Sequence, residues 1–93
     1  MPYISQLERR NLDPLILALQ DKLEPAGYGV LGRLNYVITR LILYTWKVDS
    51  SYFRAAGISG VLTNVYSEFY RRVLVPYENS KIEENGDIEE YKE

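Results

Sequence analysis

The chain has 93 residues with an ordinary globular composition, 46% hydrophobic and 26% charged, and that length holds one domain. It contains neither Cys nor His, which excludes disulfides, thiolate chemistry, the commonest zinc ligands and every Ser–His or Cys–His nucleophile arrangement. The formal charge of −2 hides a polarised chain: residues 1–77 carry nine Lys/Arg against six Asp/Glu, a net of +3, and residues 78–93 carry two Lys against seven Asp/Glu, a net of −5.

Helix signals dominate in chain order. Ser5 and Glu8 have capping-box spacing and predict a short first turn through Arg10. Asp13 as N-cap with Pro14 at the first helical position predicts a helix carrying Leu15, Ile16, Leu19 and Leu23 on one face. Pro25 and Gly27 stop it, and residues 25–32 (PAGYGVLG) read as a connector. The glycines lack the Gly-Lys-Ser/Thr of a phosphate loop, because Gly32 is followed by Arg33 and Leu34.

A second helix is expected from about Arg33 to Lys47, apolar round most of its circumference, with Tyr36, Arg40, Tyr44 and Lys47 as its exposed ridge. Its charges exclude a membrane span, which needs about 20 consecutive apolar residues, and MPYISQLERR is not a signal peptide. The expected location is therefore cytoplasmic. Asp49, Ser50 and Ser51 offer successive N-caps for a short segment from Tyr52 to about Ala56, which Gly57 ends or bends. The third main helix follows from Ile58 to Val75. Its stripe is Ile58, Val61, Leu62, Val65, Phe69 and Val73. Arg71 and Arg72 complement the helix dipole near its end and can pair with Glu68.

Pro76 is read as the end of that helix and Asn85-Gly86-Asp87 as a turn in an acidic arm. Ile82, Ile88 and Tyr91 are spaced along the arm as apolar anchors, which a solvated acidic run does not require. The predicted fold is thus all-α: a small bundle of three main helices plus a short helix over residues 1–77, with an acidic C-terminal arm over 78–93.

The nine tyrosines, against two Phe and one Trp, suit half-buried rims and interfaces, since each ring buries apolar area and leaves a hydroxyl for a partner. The candidate contact surface is Tyr66, Tyr70, Arg71 and Tyr77 with Ile82, Ile88 and Tyr91. No catalytic, cofactor-binding or metal-binding residue is expected. Glu68, Glu83, Glu84 and Asp87 could offer oxygen ligands to a divalent cation, but a helical ExxE site needs a second facing pair and Asn85-Gly86 interrupts this one. Arg40, Arg54, Arg71 and Arg72 could form a nucleic-acid patch. A body net of only +3 argues against a concentrated basic surface.

LNYVITRL (34–41), GVL (60–62), EFYRRVLVPYEN (68–79) and KIEENGD (81–87), with the opening MPYIS and Leu-Asp-Pro at 12–14, resemble a small uncharacterised family of tailed-phage and prokaryotic proteins. That resemblance implies a structural or assembly component, an accessory subunit or an inhibitor of a host enzyme, in the host cytoplasm or the virion. The residues and the resemblance together predict a non-enzymatic protein–protein interaction or assembly module, a homo-oligomer or a small subunit of a larger complex. The alternative is a small nucleic-acid-binding or host-enzyme-inhibiting regulator.

Overall fold

A computed structural model describes residues 3–24 and 27–92. The fold is all-α: α1 (Gln6–Leu23), α2 (Gly29–Val48), α3 (Tyr52–Phe69), a π-turn (Tyr70–Leu74), α4 (Val75–Asn85) and a 3-10 turn (Glu89–Tyr91). There is no strand among the described residues. The chain divides into two compact units, residues 1–54 and 55–93.

In the first unit, α1 opens where the capping box predicts. The Glu8 amide donates to Ser5 Oγ at 3.3 Å and the Arg9 amide to the Ser5 carbonyl at 3.0 Å. The helix does not restart at Asp13. It continues through Pro14 to Leu23, correcting the expected two-part reading. Proline removes one intrahelical bond, the one the Arg10 carbonyl would accept, and Arg10 is exposed, where water serves that carbonyl. The C-terminal break falls on Glu24, in the left-handed region at φ 46°, with its amide still donating to the Gln20 carbonyl at 3.3 Å. Gly27, at φ 84°, supplies a second left-handed residue. The expected stop at Pro25 lies outside the described residues.

Helix α2 begins four residues before the predicted Arg33, so Gly29–Gly32 are helical and the connector is shorter than expected. The first-turn amides of any helix lack intrahelical partners, and the glycines there weaken no established ladder. At the far end Ser51 is the N-cap that α3 uses, its Oγ accepting from the Arg54 amide at 3.1 Å. Asp49 Oδ2 lies 3.3 Å from the Ser51 hydroxyl and 3.9 Å from Arg54 Nε. Gly57 does not end the segment. Tyr52 to Phe69 is one helix, because a single glycine costs only about 1 kcal/mol in a helix interior.

The second unit is one helical run from Ala55 to Asn85, interrupted in pattern but not in continuity by the π-turn. The Val75 amide donates to the Tyr70 carbonyl, five residues back. Here the expectation that Pro76 ends the helix is corrected. A proline in a regular α-helix clashes with the carbonyl four residues earlier and leaves it without a donor. The wider π-turn just ahead of Pro76 relieves that clash and lets the helix go on. It stops at Gly86, φ 85°, whose amide donates to the Ile82 carbonyl at 2.7 Å, at the Asn85-Gly86-Asp87 turn the sequence predicts. Residues 78–85 of the acidic arm are therefore helical, and the arm is non-helical only beyond them, apart from its 3-10 turn.

No described residue is buried. Within the second unit the reason is simple: a single helix and a 3-10 turn offer no second layer, so its apolar side chains have nothing in the unit to close over them.

Candidate protein-interaction surface

The seven residues singled out for contact all lie in the second unit, and every one is exposed. Tyr66 and Tyr70 are one helical step of four apart and stack, with ring centroids 6.2 Å apart and planes 23° from parallel. Two rings locked side by side lose little further freedom on binding, which makes them efficient contact groups. Arg71 Nη2 donates to Glu68 Oε1 at 2.8 Å, and Arg72 Nε stands 2.9 Å from Glu68 Oε2. Glu68 thus holds both guanidinium groups at the mouth of the π-turn, the pairing the i+3 and i+4 spacing predicts. The two guanidinium groups are exposed while Glu68 is half-buried with its Oε2 shut off from solvent; helical pairs at this spacing are worth a few tenths of a kcal/mol each, about 0.3–0.5, so they orient the arginines without committing them.

Further along, Tyr77, Ile82 and Ile88 come together around one open groove of about 350 Å³, which Lys81 and Asp87 also line. Lys81 Nζ sits 5.7 Å from the centroid of the Tyr77 ring and 3.4 Å from Glu84 Oε2. Gly86 makes the groove possible: its turn aims the chain so that Asp87 Oδ1 caps the Ile88 amide at 2.8 Å and Ile88 faces the helix it has just left. Tyr91 does not line the groove. It lies in the 3-10 turn, its amide donating to the Ile88 carbonyl at 3.2 Å. The structure therefore makes two clusters from the seven residues, Tyr66–Tyr70–Arg71 above the π-turn and Tyr77–Ile82–Ile88 below it, with Tyr91 apart.

One residue of structural consequence escapes a reading of local patterns. Arg33 reaches back across the α1–α2 connector, Nε donating to the Leu23 carbonyl at 2.6 Å and Nη2 to the Glu24 carbonyl at 3.1 Å. It satisfies orphan carbonyls at the negative end of α1 with a positive charge. Gly29 is part of the same arrangement, because a Cβ there would stand 2.6 Å from Arg33 Nη1. Beside this clamp, Leu19, Leu23, Tyr36 and Val37 line a mainly apolar groove of about 300 Å³ in the first unit. The signal in the sequence was the glycine four residues before an arginine, one helical turn apart, at the start of α2.

Three of the four arginines once grouped as a basic patch stand beside a carboxylate: Arg71 and Arg72 at Glu68, and Arg54 at Asp49. The fourth, Arg40, donates from Nη1 to the Tyr36 hydroxyl at 2.7 Å and lies 5.6 Å from that ring's centroid. Among the described residues, no three carboxylates gather as a metal site, and no helix is long and apolar enough to cross a membrane.

Residues 1–88 match the family described as a domain of unknown function, DUF6899. The chain belongs to the DUF6899 family. No curated protein and no solved structure matches it. The match takes in the α-helical part of this DUF6899 chain, from α1 through α4 and the turn at Gly86, so both candidate clusters lie inside the matched region and only the last residues, Tyr91 among them, fall beyond it.

Proposed function

We propose that this protein is a non-enzymatic interaction module, whose second unit is a docking helix completed by a protein partner: a second copy of the chain or a subunit of a larger assembly. The observation that supports this reading is the second unit itself, a continuous helix that presents stacked tyrosines, an ion-paired arginine couple and an isoleucine–tyrosine groove, with no second layer inside that unit. Buried aromatic and arginine side chains dominate the energetics of protein interfaces. Val61, Leu62, Val65, Phe69 and Val73 of the apolar stripe are exposed, as are Tyr66 and Tyr70 on its flank. Carboxylates beside three of the four arginines favour a protein over a phosphate backbone as the partner. Together with the tailed-phage and prokaryotic resemblance, this suits an assembly or accessory role.

Backbone amide exchange on the full chain tests the reading. At high dilution the amides of α3 and α4 should exchange with little protection, and protection should rise when the docking helix is covered. A dilute monomer whose α3 and α4 amides are as protected as those of a closed core would overturn it.

A further inference from the structure

The apolar stripe of α3 has an occupant that its own charge pattern selects. Ile58, Val61, Leu62, Val65 and Phe69 follow one another along α3 and Val73 continues the row in the π-turn; Ile58 is half-buried, and Val65, near the middle of the row, is 64% exposed. Charge is distributed unevenly about this stripe. From Ala55 to Ser67 there is no charged residue, Arg71 and Arg72 flank the last part of the stripe with Glu68 between them for a net of +1, and Glu78, Glu83 and Glu84 lie beyond it on α4 with Lys81, for a net of −2. The start of α3 holds Arg54, whose pairing with Asp49 is loose at 3.9 Å, and the most exposed aromatic pair of α3, Tyr52 and Phe53, at 89% and 87%.

We infer that the stripe is covered by the same stripe of a second copy lying antiparallel to it, with the two-fold axis near Val65. This rests on the interaction reading above and commits it to one partner and one direction. In that register Leu62 of each copy lies opposite Phe69 of the other and Ile58 opposite Val73, so apolar side chains meet along the whole row. Arg71 and Arg72 come level with Gly60 and Ser59, where there is room for two guanidinium groups and no like charge. The acidic α4 runs on past the stripe to the start of the other copy's α3, bringing Glu78 level with Arg54. A parallel pair in register does the opposite. It sets Arg71 and Arg72 against their own counterparts and the α4 carboxylates likewise, and like charges held side by side oppose association. A two-fold contact is also self-closing, so the chain forms a dimer rather than a filament.

The chain contains no cysteine, so single engineered cysteines report the geometry directly. Light scattering on the full chain across a concentration series should give twice the monomer mass. Under mild oxidation V65C should cross-link to itself. I58C and V73C are separated by about 22 Å of helix, far beyond the ~3.8 Å Cβ separation of a disulfide. Neither should cross-link alone, and their mixture should do so at least about tenfold better than either variant. Arg54→Glu should weaken the dimer about tenfold at low salt, and the double variant Arg54→Glu, Glu78→Arg should recover most of that loss. The exposed charge swap reports on association even if a cysteine variant fails to fold. Self-cross-linking of both I58C and V73C means a parallel pair and overturns the inference. A monomer at every concentration overturns it too. In that case amide exchange separates the two levels: an unprotected α3 leaves the docking-helix reading standing with a different protein as partner, whereas a protected α3 removes both.

Discussion

Removing the Arg33 side chain beyond Cβ should loosen the α1–α2 junction by a measurable and local amount. In the native chain its guanidinium makes two bonds to carbonyls, 2.6 Å to Leu23 and 3.1 Å to Glu24, at the C-terminal end of α1. Hydrogen bonds to a charged group contribute about 1.5–3 kcal/mol when well sheltered. These are exposed, so water replaces them at much lower cost, and the favourable charge at a helix C-terminus adds about 0.3–1 kcal/mol. A net loss of about 1–2 kcal/mol follows for Arg33→Ala. It should appear as roughly five- to thirtyfold faster exchange of the Gln20–Glu24 and Gly32–Tyr36 amides, with the α4 amides unchanged. Arg33→Lys keeps the charge but loses the fork that reaches two carbonyls, so it should fall between wild type and Arg33→Ala. Gly29→Ala places a methyl where Arg33 Nη1 now lies, and should therefore reproduce part of the Arg33→Ala effect even though alanine is the better helix former. If Arg33→Ala leaves exchange at Gln20–Glu24 unaltered, or if Gly29→Ala slows it, the clamp has no energetic weight.

Other perturbations probe separate joints. Ser51→Ala removes the cap on the Arg54 amide and should cost about 1 kcal/mol of helix stability at the start of α3, read by exchange of the first-turn amides, whereas Ser51→Asp should preserve it. Glu24→Gly relieves a non-glycine residue at φ 46° and should stabilise the α1 end by about 0.5–1 kcal/mol in thermal or denaturant melts. Pro76→Ala removes the reason for the π-turn, so the helix should revert to regular i to i−4 bonding and gain helicity by circular dichroism. The change in phase should also separate the Tyr66–Tyr70 pair from the Tyr77–Ile82–Ile88 groove in angle about the helix, and weaken partner binding despite the added stability; unchanged binding would show that only one cluster makes contact.

How much of this was legible depends on the range of the interactions involved. Ser5 and Ser51 were readable as caps because a side-chain oxygen bonding an amide three residues on is a local event. The Glu68 pairs with Arg71 and Arg72 were readable for the same reason. The turn at Gly86 needed only a residue free to adopt positive φ. The start of α2 falls four residues before the expected Arg33, and three further boundaries, at Pro14, Gly57 and Pro76, come from treating each breaker as a terminus. Helix propagation is cooperative, so helix already formed on both sides carries the chain through a single costly residue. At Pro76 it also changes the hydrogen-bond pattern, from the α-type to the π-type.

By itself, then, the amino-acid sequence determined the helical class, the Ser5 cap, the Glu68 ion pairs and the polarised charge, and it narrowed the α3 cap to three neighbouring residues, because those follow from residue type and contacts within about one turn of helix. Tertiary structure alone decided that Arg33 closes the α1–α2 junction from ten residues away. It also decided that Tyr77, Ile82 and Ile88 share one groove, which depends on the direction the chain takes after Gly86, and that the Pro76 ring is absorbed by a π-turn that joins α3 to α4 in one continuous helix. Each depends on where distant atoms arrive in space, which residue types and spacings along the chain do not encode one by one.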